Sequence, residues 1–191
     1  MTATRSGPAD NALSRFVVGF DLGTTNSAVT FVDTHESPWQ VRVFAVPQLV
    51  APGQVEARET LPSFHYQPSA DEFRPQDVQL DFMAGANYFV GFFARDHGVV
   101  SPGRLIASAK SWLCHSGVDR TAPLLPWHGA TDVERISPVE ASSRYLKHVR
   151  AAWDEHFPDT PLAEQELVLT LPASFDEVAR ELTVKAAALA G

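Results

Sequence analysis

Residues 16–32 contain two apolar runs on either side of a Gly-Thr-Thr turn, and no other stretch of the chain restricts the fold as much. β-forming residues run from Phe16 to Asp21 and resume after Ser27, which predicts two strands joined by a turn. Gly23 can adopt backbone angles that a side chain would forbid, so successive N–H groups around it can point into one concavity. Such a concavity binds anions.

Polar side chains at the same turn indicate a site for phosphate and metal. Thr24 and Thr25 supply hydroxyl donors, and Asp21 places a carboxylate at the end of the first strand, where a hydrated Mg²⁺ on a nucleotide would lie. The same residues would also suit a plain hairpin with a solvent-facing aspartate. The residue types alone leave both interpretations open.

The segment Asp21–Ser27, Asp-Leu-Gly-Thr-Thr-Asn-Ser, resembles the first phosphate motif of the heat shock protein 70 family, the DnaK-type chaperones. These chaperones belong to the actin-like ATPase superfamily, whose sugar kinases carry a looser Asp-x-Gly-Thr-Thr-Ser version. The resemblance implies ATP or ADP with Mg as cofactors, and it implies that Asp21 holds Mg through water and takes part in catalysis. The residues implied to hold the phosphates are Gly23, Thr24, Thr25 and Asn26.

Two further stretches resemble the same family and follow its order. In Glu59–Tyr66, only Thr60, Pro62 and Ser63 match the family's Arg-Thr-Thr-Pro-Ser segment, where its chain leaves the first sheet for an inserted subdomain. Residues 90–94, Val-Gly-Phe-Phe-Ala, keep the spacing of the family's Val-Gly-x-x-Ala.

A helix is predicted over Arg104–Cys114, because four apolar residues of this segment fall on one helical face. Lys110 lies off that face, and by residue type alone it is an ordinary solvated lysine. In the family, a helix at this place carries a lysine that reaches the γ-phosphate and the attacking water, so the resemblance implies that role for Lys110. A cation there would offset the charge that develops on the transferred phosphoryl group.

The sequence of residues 166–191 predicts a strand followed by a helix. Glu166–Leu171 has the composition of a buried strand, and apolar residues then recur at helical spacing as far as Gly191. The cap of this helix is either Ser174 with Glu177 or Asp176 alone.

The same part resembles the family's Val-Pro-Ala-Tyr-Phe-Asn-Asp-x-x-Arg segment. Residues 171–180 read Leu-Pro-Ala-Ser-Phe-Asp-Glu-Val-Ala-Arg, without a gap. In the family, the proline and the arginine help to pass the nucleotide state to the substrate domain. The resemblance implies this allosteric coupling for Pro172 and Arg180.

Other elements follow from local signals. Residues 137–140, Ser-Pro-Val-Glu, form a capping box with proline at the first helical position, which predicts a helix that Pro158 stops. Gln40–Val46 predicts a third strand, and Ala94–Val99 predicts a short helix. The prolines between residues 47 and 81 exclude long helices and predict short strands with loops.

Charge and composition exclude several classes of partner. The net charge of −8 repels nucleic acid phosphates and anionic lipid. Cys114 is the single cysteine, and no apolar run approaches the roughly 20 residues of a membrane helix. We therefore expect no nucleic acid partner, no membrane partner and a cytoplasmic location.

The resemblance implies an α/β fold: lobe I of an actin-like (ribonuclease H-like) ATPase domain, with a mixed sheet, flanking helices and an inserted α+β subdomain. We expect a disordered tail over residues 1–15, a first sheet over 16–60, the inserted subdomain over about 61–135 and a return to the first subdomain over 136–191. Lobe II and any substrate-binding domain would then be absent from these 191 residues.

The implied function is that of an ATP-dependent chaperone, in which hydrolysis of Mg·ATP drives the binding and release of polypeptide. Client polypeptides and co-chaperones would bind through the missing parts, and the chain alone would be inactive and prone to self-association. Two alternatives stay open: a sugar kinase of the same superfamily, and a diverged module that no longer hydrolyses ATP. The residue at the place of the family's catalytic glutamate, beyond Gly191, would separate the enzyme from the module.

Overall fold

The computed structural model describes residues 14–172 and 175–191. Its strands are β1 (Phe16–Asp21), β2 (Asn26–Asp33), β3 (Arg42–Val43), β4 (Val46–Ala51), β5 (Gln54–Arg58), β6 (Thr60–Pro62), β7 (Phe64–Tyr66), β8 (Phe89–Val90), β9 (Leu105–Ala107) and β10 (Glu166–Thr170). Its helices are α1 (Pro75–Val78), α2 (Phe92–Gly98), α3 (Ala109–Leu113), α4 (Pro138–His156) and α5 (Glu177–Ala190). Single turns of 3₁₀ helix lie at Asp81–Met83, Pro102–Arg104 and Leu162–Glu164.

The principal sheet is mixed, with β1 and β2 at its centre. β1 pairs in parallel with β10, where Gly19 lies opposite Val168, and antiparallel with β2, where Gly19 lies opposite Thr30. β3 and β6 both pair with β2, and β6 places Pro62 opposite Asn26. The predicted opening hairpin is thereby confirmed, and its Gly-Thr-Thr turn lies at the end of the two central strands.

Helices α4 and α5 pack against each other and share a core with β1. Alternate residues of β1 are buried, as the two-residue period of a strand requires. Trp153 of α4 is fully buried at the centre of an aromatic cluster. The rings in contact with it are those of Phe16, Phe31, Phe44 and Phe157.

The start of α4 confirms the predicted helix start and the Ser137 half of the predicted capping box; the Glu140 carboxylate accepts from Arg144 instead of from the Ser137 N–H. Ser137 is in an extended conformation, and its Oγ accepts the N–H of Glu140 at 3.1 Å. Pro138 is the first helical residue, where its missing N–H costs nothing. The helix ends at His156, close to Pro158 as predicted.

A second, smaller sheet has β7 between β8 and β9, and all its pairs are antiparallel. Helix α2 packs on it, and Phe89 stacks with Tyr66 at 5.2 Å and with Phe93 at 5.0 Å between ring centres. The short helix predicted over Ala94–Val99 is α2, which begins two residues earlier, at Phe92. Strands β4 and β5 form a separate hairpin.

The predicted helix over Arg104–Cys114 is wrong in its first half. The segment begins with the end of a 3₁₀ turn and continues as β9, and only α3 is helical. Ser108, between β9 and α3, has a φ of 56°, a left-handed conformation that interrupts a continuous α-helix. Pairing of β9 with β7 decides the conformation here, because tertiary contacts override weak helical periodicity.

Two strand predictions need correction. The third strand predicted over Gln40–Val46 is reduced to β3, and Val46 already begins β4. The strand predicted over Glu166–Leu171 is present as β10 but is not buried. Leu167 and Val168 are 41% and 49% exposed, because β10 pairs only with β1 in the described part of the chain.

The cap of α5 is Asp176, whose Oδ1 accepts the N–H of Ala179 at 2.7 Å. Ser174, the other candidate, lies outside the described residues, as do residues 1–13 of the predicted tail. Arg15 is described and donates from Nη2 to Asp33 at 2.8 Å. Within the described ranges, no helix combines the length and the apolar composition that crossing a membrane requires.

Candidate functional site

The turn between β1 and β2 brings two backbone segments into close contact. The N–H of Gly23 donates to the carbonyl of Asp21 at 3.1 Å. A Cβ at position 23 would lie 1.9 Å from the backbone carbonyl oxygen of Asn26. Any side chain at this position would therefore force the turn to change shape, so glycine is required here.

Ser63, between β6 and β7, holds the turn through both backbone and side chain. Its Oγ donates to the carbonyl of Gly23 at 2.8 Å, and its N–H donates to the carbonyl of Thr25 at 2.8 Å. The same Oγ lies 3.1 Å from the hydroxyl of Ser27. The N–H groups of Thr24 and Thr25 donate to no described residue, so both remain available to a ligand.

The carboxylate of Asp21 is exposed at the end of β1, beside this turn. Thr170, its neighbour on the parallel strand β10, donates its hydroxyl to Asp21 Oδ1 at 3.0 Å and so orients the carboxylate. Thr24, Thr25 and Asn26 are exposed as well. Oxygen atoms of this kind suit a hard, hydrated cation such as Mg²⁺.

Lys110 reaches the turn from α3, although 88 residues separate it from Leu22. Its side chain is buried, with the residue 5% exposed, and Nζ donates to the carbonyl of Leu22. Nζ also lies 5.3 Å from the centre of the Phe175 ring. Burial lowers the pKa of Lys110, while the negative charge of Asp21 acts in the opposite direction.

This environment makes the turn attractive to an anion. An ammonium carries three N–H donors, and the described residues offer Lys110 the Leu22 carbonyl as acceptor. A buried cation with few partners carries a desolvation cost that an adjacent anion would offset. The lysine and the free amides of the turn therefore favour a negative ligand at the same place.

Phe175 connects Lys110 to Pro172 and Arg180, the two residues expected to couple the site to other parts of the complete protein. Its N–H donates to the carbonyl of Pro172 at 3.1 Å, and its own carbonyl accepts from Arg180 Nε at 3.2 Å. The ring of the same residue lies beside the ammonium of Lys110. Pro172 and Arg180 are therefore linked to the site through Phe175, and among the described residues neither forms a hydrogen bond with the turn.

Two curated chaperones are similar to nearly the whole chain. Chaperone protein HscA of Enterobacter sp. (strain 638) is 30% identical over 192 residues, an alignment that covers 93% of this chain and 26% of that protein. Chaperone protein HscA of Salmonella agona (strain SL483) is 28% identical over 186 residues, with the same coverage. HscA is a chaperone of the heat shock protein 70 family. The similarity, which extends over 93% of the chain, supports its membership of this family.

No protein-family model matches the chain. The chain spans about a quarter, 26%, of the length of the heat shock protein 70 relatives that it matches. Its mixed sheet with flanking helices fits the ATPase domain of such chaperones.

Sequence reasoning did not find every residue that shapes the turn between β1 and β2. Ser63 entered only as part of a weak family match, and its two bonds to the turn span about 40 residues, which no local pattern reveals. The carbonyl of Leu22 and the hydroxyl of Thr170 gave no signal at all. Phe175 matched a motif, but nothing in the sequence indicated that its ring lies beside Lys110.

Proposed function

We propose that the turn over residues 21–26 and Lys110 form one side of a Mg·ATP site in an ATP-dependent molecular chaperone. The observation that carries the proposal is the buried ammonium of Lys110, placed on the carbonyl that precedes Gly23. A cation delivered from a separate element to an anion-binding turn is the arrangement that phosphoryl transfer needs.

The residues present suit the phosphates and the metal. The carbonyl oxygen of Asn26 lies so close to Gly23 that position 23 has room for backbone atoms only. The backbone N–H groups of Thr24 and Thr25 donate to no described residue and are available to a phosphate. Asp21, oriented by Thr170, would hold Mg²⁺ through water, with Asn26 as a further polar contact at the rim. When bound, Mg·ATP supplies the phosphoanhydride bond whose hydrolysis releases free energy.

Lys110 has the chemistry of a residue that stabilises developing negative charge. It is already desolvated, so little reorganisation is needed when a phosphoryl oxygen approaches, and its interaction with that oxygen is weakly screened. The ring of Phe175 limits the positions that the ammonium can occupy.

The proposal is tested by ATP hydrolysis in the complete protein that contains this chain. We expect Lys110→Met and Lys110→Ala to lower kcat by about a hundredfold or more, the usual loss when one such charged donor is removed. Lys147→Met, on the exposed face of α4, is the matched control and should keep full activity. Unchanged hydrolysis in the Lys110 variants would refute the assigned role.

For the 191-residue chain alone, we expect no measurable turnover and at best about millimolar affinity for ATP, because in this proposal its residues form only one side of the nucleotide clamp. Isothermal titration calorimetry measures this directly. Micromolar affinity of the isolated chain would contradict the proposal of a two-lobed site.

We further propose that the fold is lobe I of an actin-like ATPase domain. In support, the principal sheet takes its strands from residues 16–62 and 166–170, whereas the sheet of β7, β8 and β9 lies between residues 64 and 107. This separation matches a first subdomain over 16–60 and 136–191 with an insertion over about 61–135.

Pro172 and Arg180 are proposed to report the nucleotide state to the client-binding parts, through Phe175. In the complete protein, Arg180→Ala should keep basal hydrolysis and lose its stimulation by client polypeptide. Glu181→Ala, the exposed neighbour, is the control. Stimulation that survives in Arg180→Ala would contradict this coupling.

Self-association of the chain alone is proposed from its exposed apolar side chains along β10 and α5. These are Leu167, Val168, Val178, Val184 and Leu189. Large exposed apolar patches bind partners. Sedimentation velocity should detect dimers of the chain that weaken in the Val168→Lys variant, and a concentration-independent monomer would contradict the proposal.

A further inference from the structure

A groove of about 460 Å³ lies between α4, the C-terminal half of α5 and the segment around Thr121. It is lined by three cationic side chains, Arg144, Lys147 and Lys185, against the single carboxylate of Glu140. The phosphate turn contributes no residue to this lining, so the groove is distinct from the candidate nucleotide site.

The basic character of this groove contrasts with the rest of the chain. The chain has a net charge of −8 and contains three lysines. One is Lys110, and the other two, Lys147 and Lys185, both line the groove. Neither of these two forms a salt bridge with a described residue.

Arg144, in the lining of the groove, is held in a fixed position by its contacts. Its guanidinium donates to Glu140 Oε1 at 2.7 Å and to His65 Nε2 at 2.8 Å, and it lies 4.3 Å from the centre of the Tyr88 ring. Burial lowers the pKa of His65 to about 3, so this ring is neutral and adds no second positive charge. A guanidinium has five N–H donors, and these contacts leave some of them for a ligand.

The groove also offers apolar contacts beside its cations. Leu189 of α5 is 58% exposed on one wall, and Tyr88 and Val139 also line the groove. A compact inorganic anion would use the cations alone. A polypeptide segment that combines carboxylates with an aliphatic side chain would use both kinds of contact.

We propose that this basic groove binds an acidic peptide segment of a protein partner, with carboxylates on Lys147, Lys185 and Arg144 and an aliphatic side chain on Leu189. The charge of the groove selects the partner, because the groove is positively charged on a chain whose net charge is negative. The groove therefore attracts an acidic polypeptide, while the remaining surface repels it. This binding does not depend on nucleotide.

The test uses the 191-residue chain and a fluorescein-labelled peptide, Glu-Leu-Glu-Asp-Leu-Glu, followed by fluorescence anisotropy at low and physiological salt. We expect saturable binding that weakens by about tenfold in Lys147→Gln/Lys185→Gln, as the loss of two exposed ion pairs predicts. The matched control Arg42→Gln/Arg74→Gln removes the same charge from arginines outside the groove lining and should change the affinity by less than about twofold.

The apolar contact and the ligand class are tested separately. Leu189→Ser should weaken peptide binding by about threefold without changing its salt dependence. Inorganic phosphate at the same ionic strength should not displace the peptide. Absence of binding, equal weakening by the control variant, or displacement by phosphate would each overturn the proposal.

Discussion

Replacing Gly23 with alanine is the sharpest structural test of the phosphate turn. The new Cβ would lie 1.9 Å from the carbonyl oxygen of Asn26, whereas real Cβ contacts stay beyond 3.0 Å, so the two must separate by about 1 Å. The atom that must move is backbone, and the same turn is fixed by Ser63 on its other side. Small-to-large changes in such places cost about 1–3 kcal/mol, and we expect about 2 kcal/mol here.

The matched control is Gly19→Ala, in the neighbouring strand β1. Its Cβ would lie 2.9 Å from the hydroxyl oxygen of Thr30, a side-chain atom that can move aside by rotation. We expect this variant to lose less than about 1 kcal/mol. The assay is urea unfolding monitored by circular dichroism. The two variants must show equal m-values, the dependence of the free energy of unfolding on urea concentration, for their stabilities to be compared.

Equal stability losses for Gly19→Ala and Gly23→Ala would refute the reasoning, because the turn would then tolerate a side chain. A Gly23→Ala variant with unchanged stability would refute the reasoning more strongly. Alanine restricts the unfolded chain, and at a position that tolerates a side chain this effect alone would raise the free energy of unfolding by about 0.4–1 kcal/mol. The expected distortion should also reach the amides of Thr24 and Thr25, and so weaken any phosphate bound there.

Three further changes test the core, a cap and the pH dependence. Trp153→Ala should cost about 4 kcal/mol in urea unfolding, because the ring is fully buried among four others, and Trp153→Phe should cost clearly less. Ser137→Ala should cost about 1 kcal/mol by leaving the N–H of Glu140 without its cap, whereas Ser116→Ala, on an exposed loop, should be neutral; equal losses would contradict the cap. Burial lowers the pKa of His148 from 6.5 to about 4, so the unfolded chain takes up the proton first and stability falls as the pH drops from about 6.5 to about 4. At pH 5 this loss is about 2 kcal/mol, and His148→Gln should show a correspondingly flatter profile between pH 7 and pH 5.

The features that sequence reasoning predicted correctly are encoded within a few neighbouring residues. The N-cap at Ser137 and the turn at Gly23 are of this kind, because their hydrogen bonds close over two or three positions. The helix predicted over Arg104–Cys114 failed for the opposite reason. Pairing of β9 with β7 joins residues about 40 positions apart, and no local periodicity reports it.

The candidate site was predicted only in part from physical reasoning. Asp21 and Gly23 followed from residue types at a turn, but Lys110 looked like a solvated lysine until a family resemblance gave it a role. Its burial beside Leu22 depends on how α3 packs, a tertiary contact across 88 residues. The support from Ser63 depends on a similarly distant contact.

The most direct measurement is a titration of the ¹⁵N-labelled chain with Mg·ATP, followed by amide chemical shifts. The account predicts that the largest shifts fall on Gly23, Thr24 and Thr25, at about millimolar nucleotide, and that Lys110→Met reduces them while Lys147→Met does not. Shifts centred elsewhere in the chain, or shifts at the turn that are unaffected by the loss of the Lys110 ammonium, would contradict it.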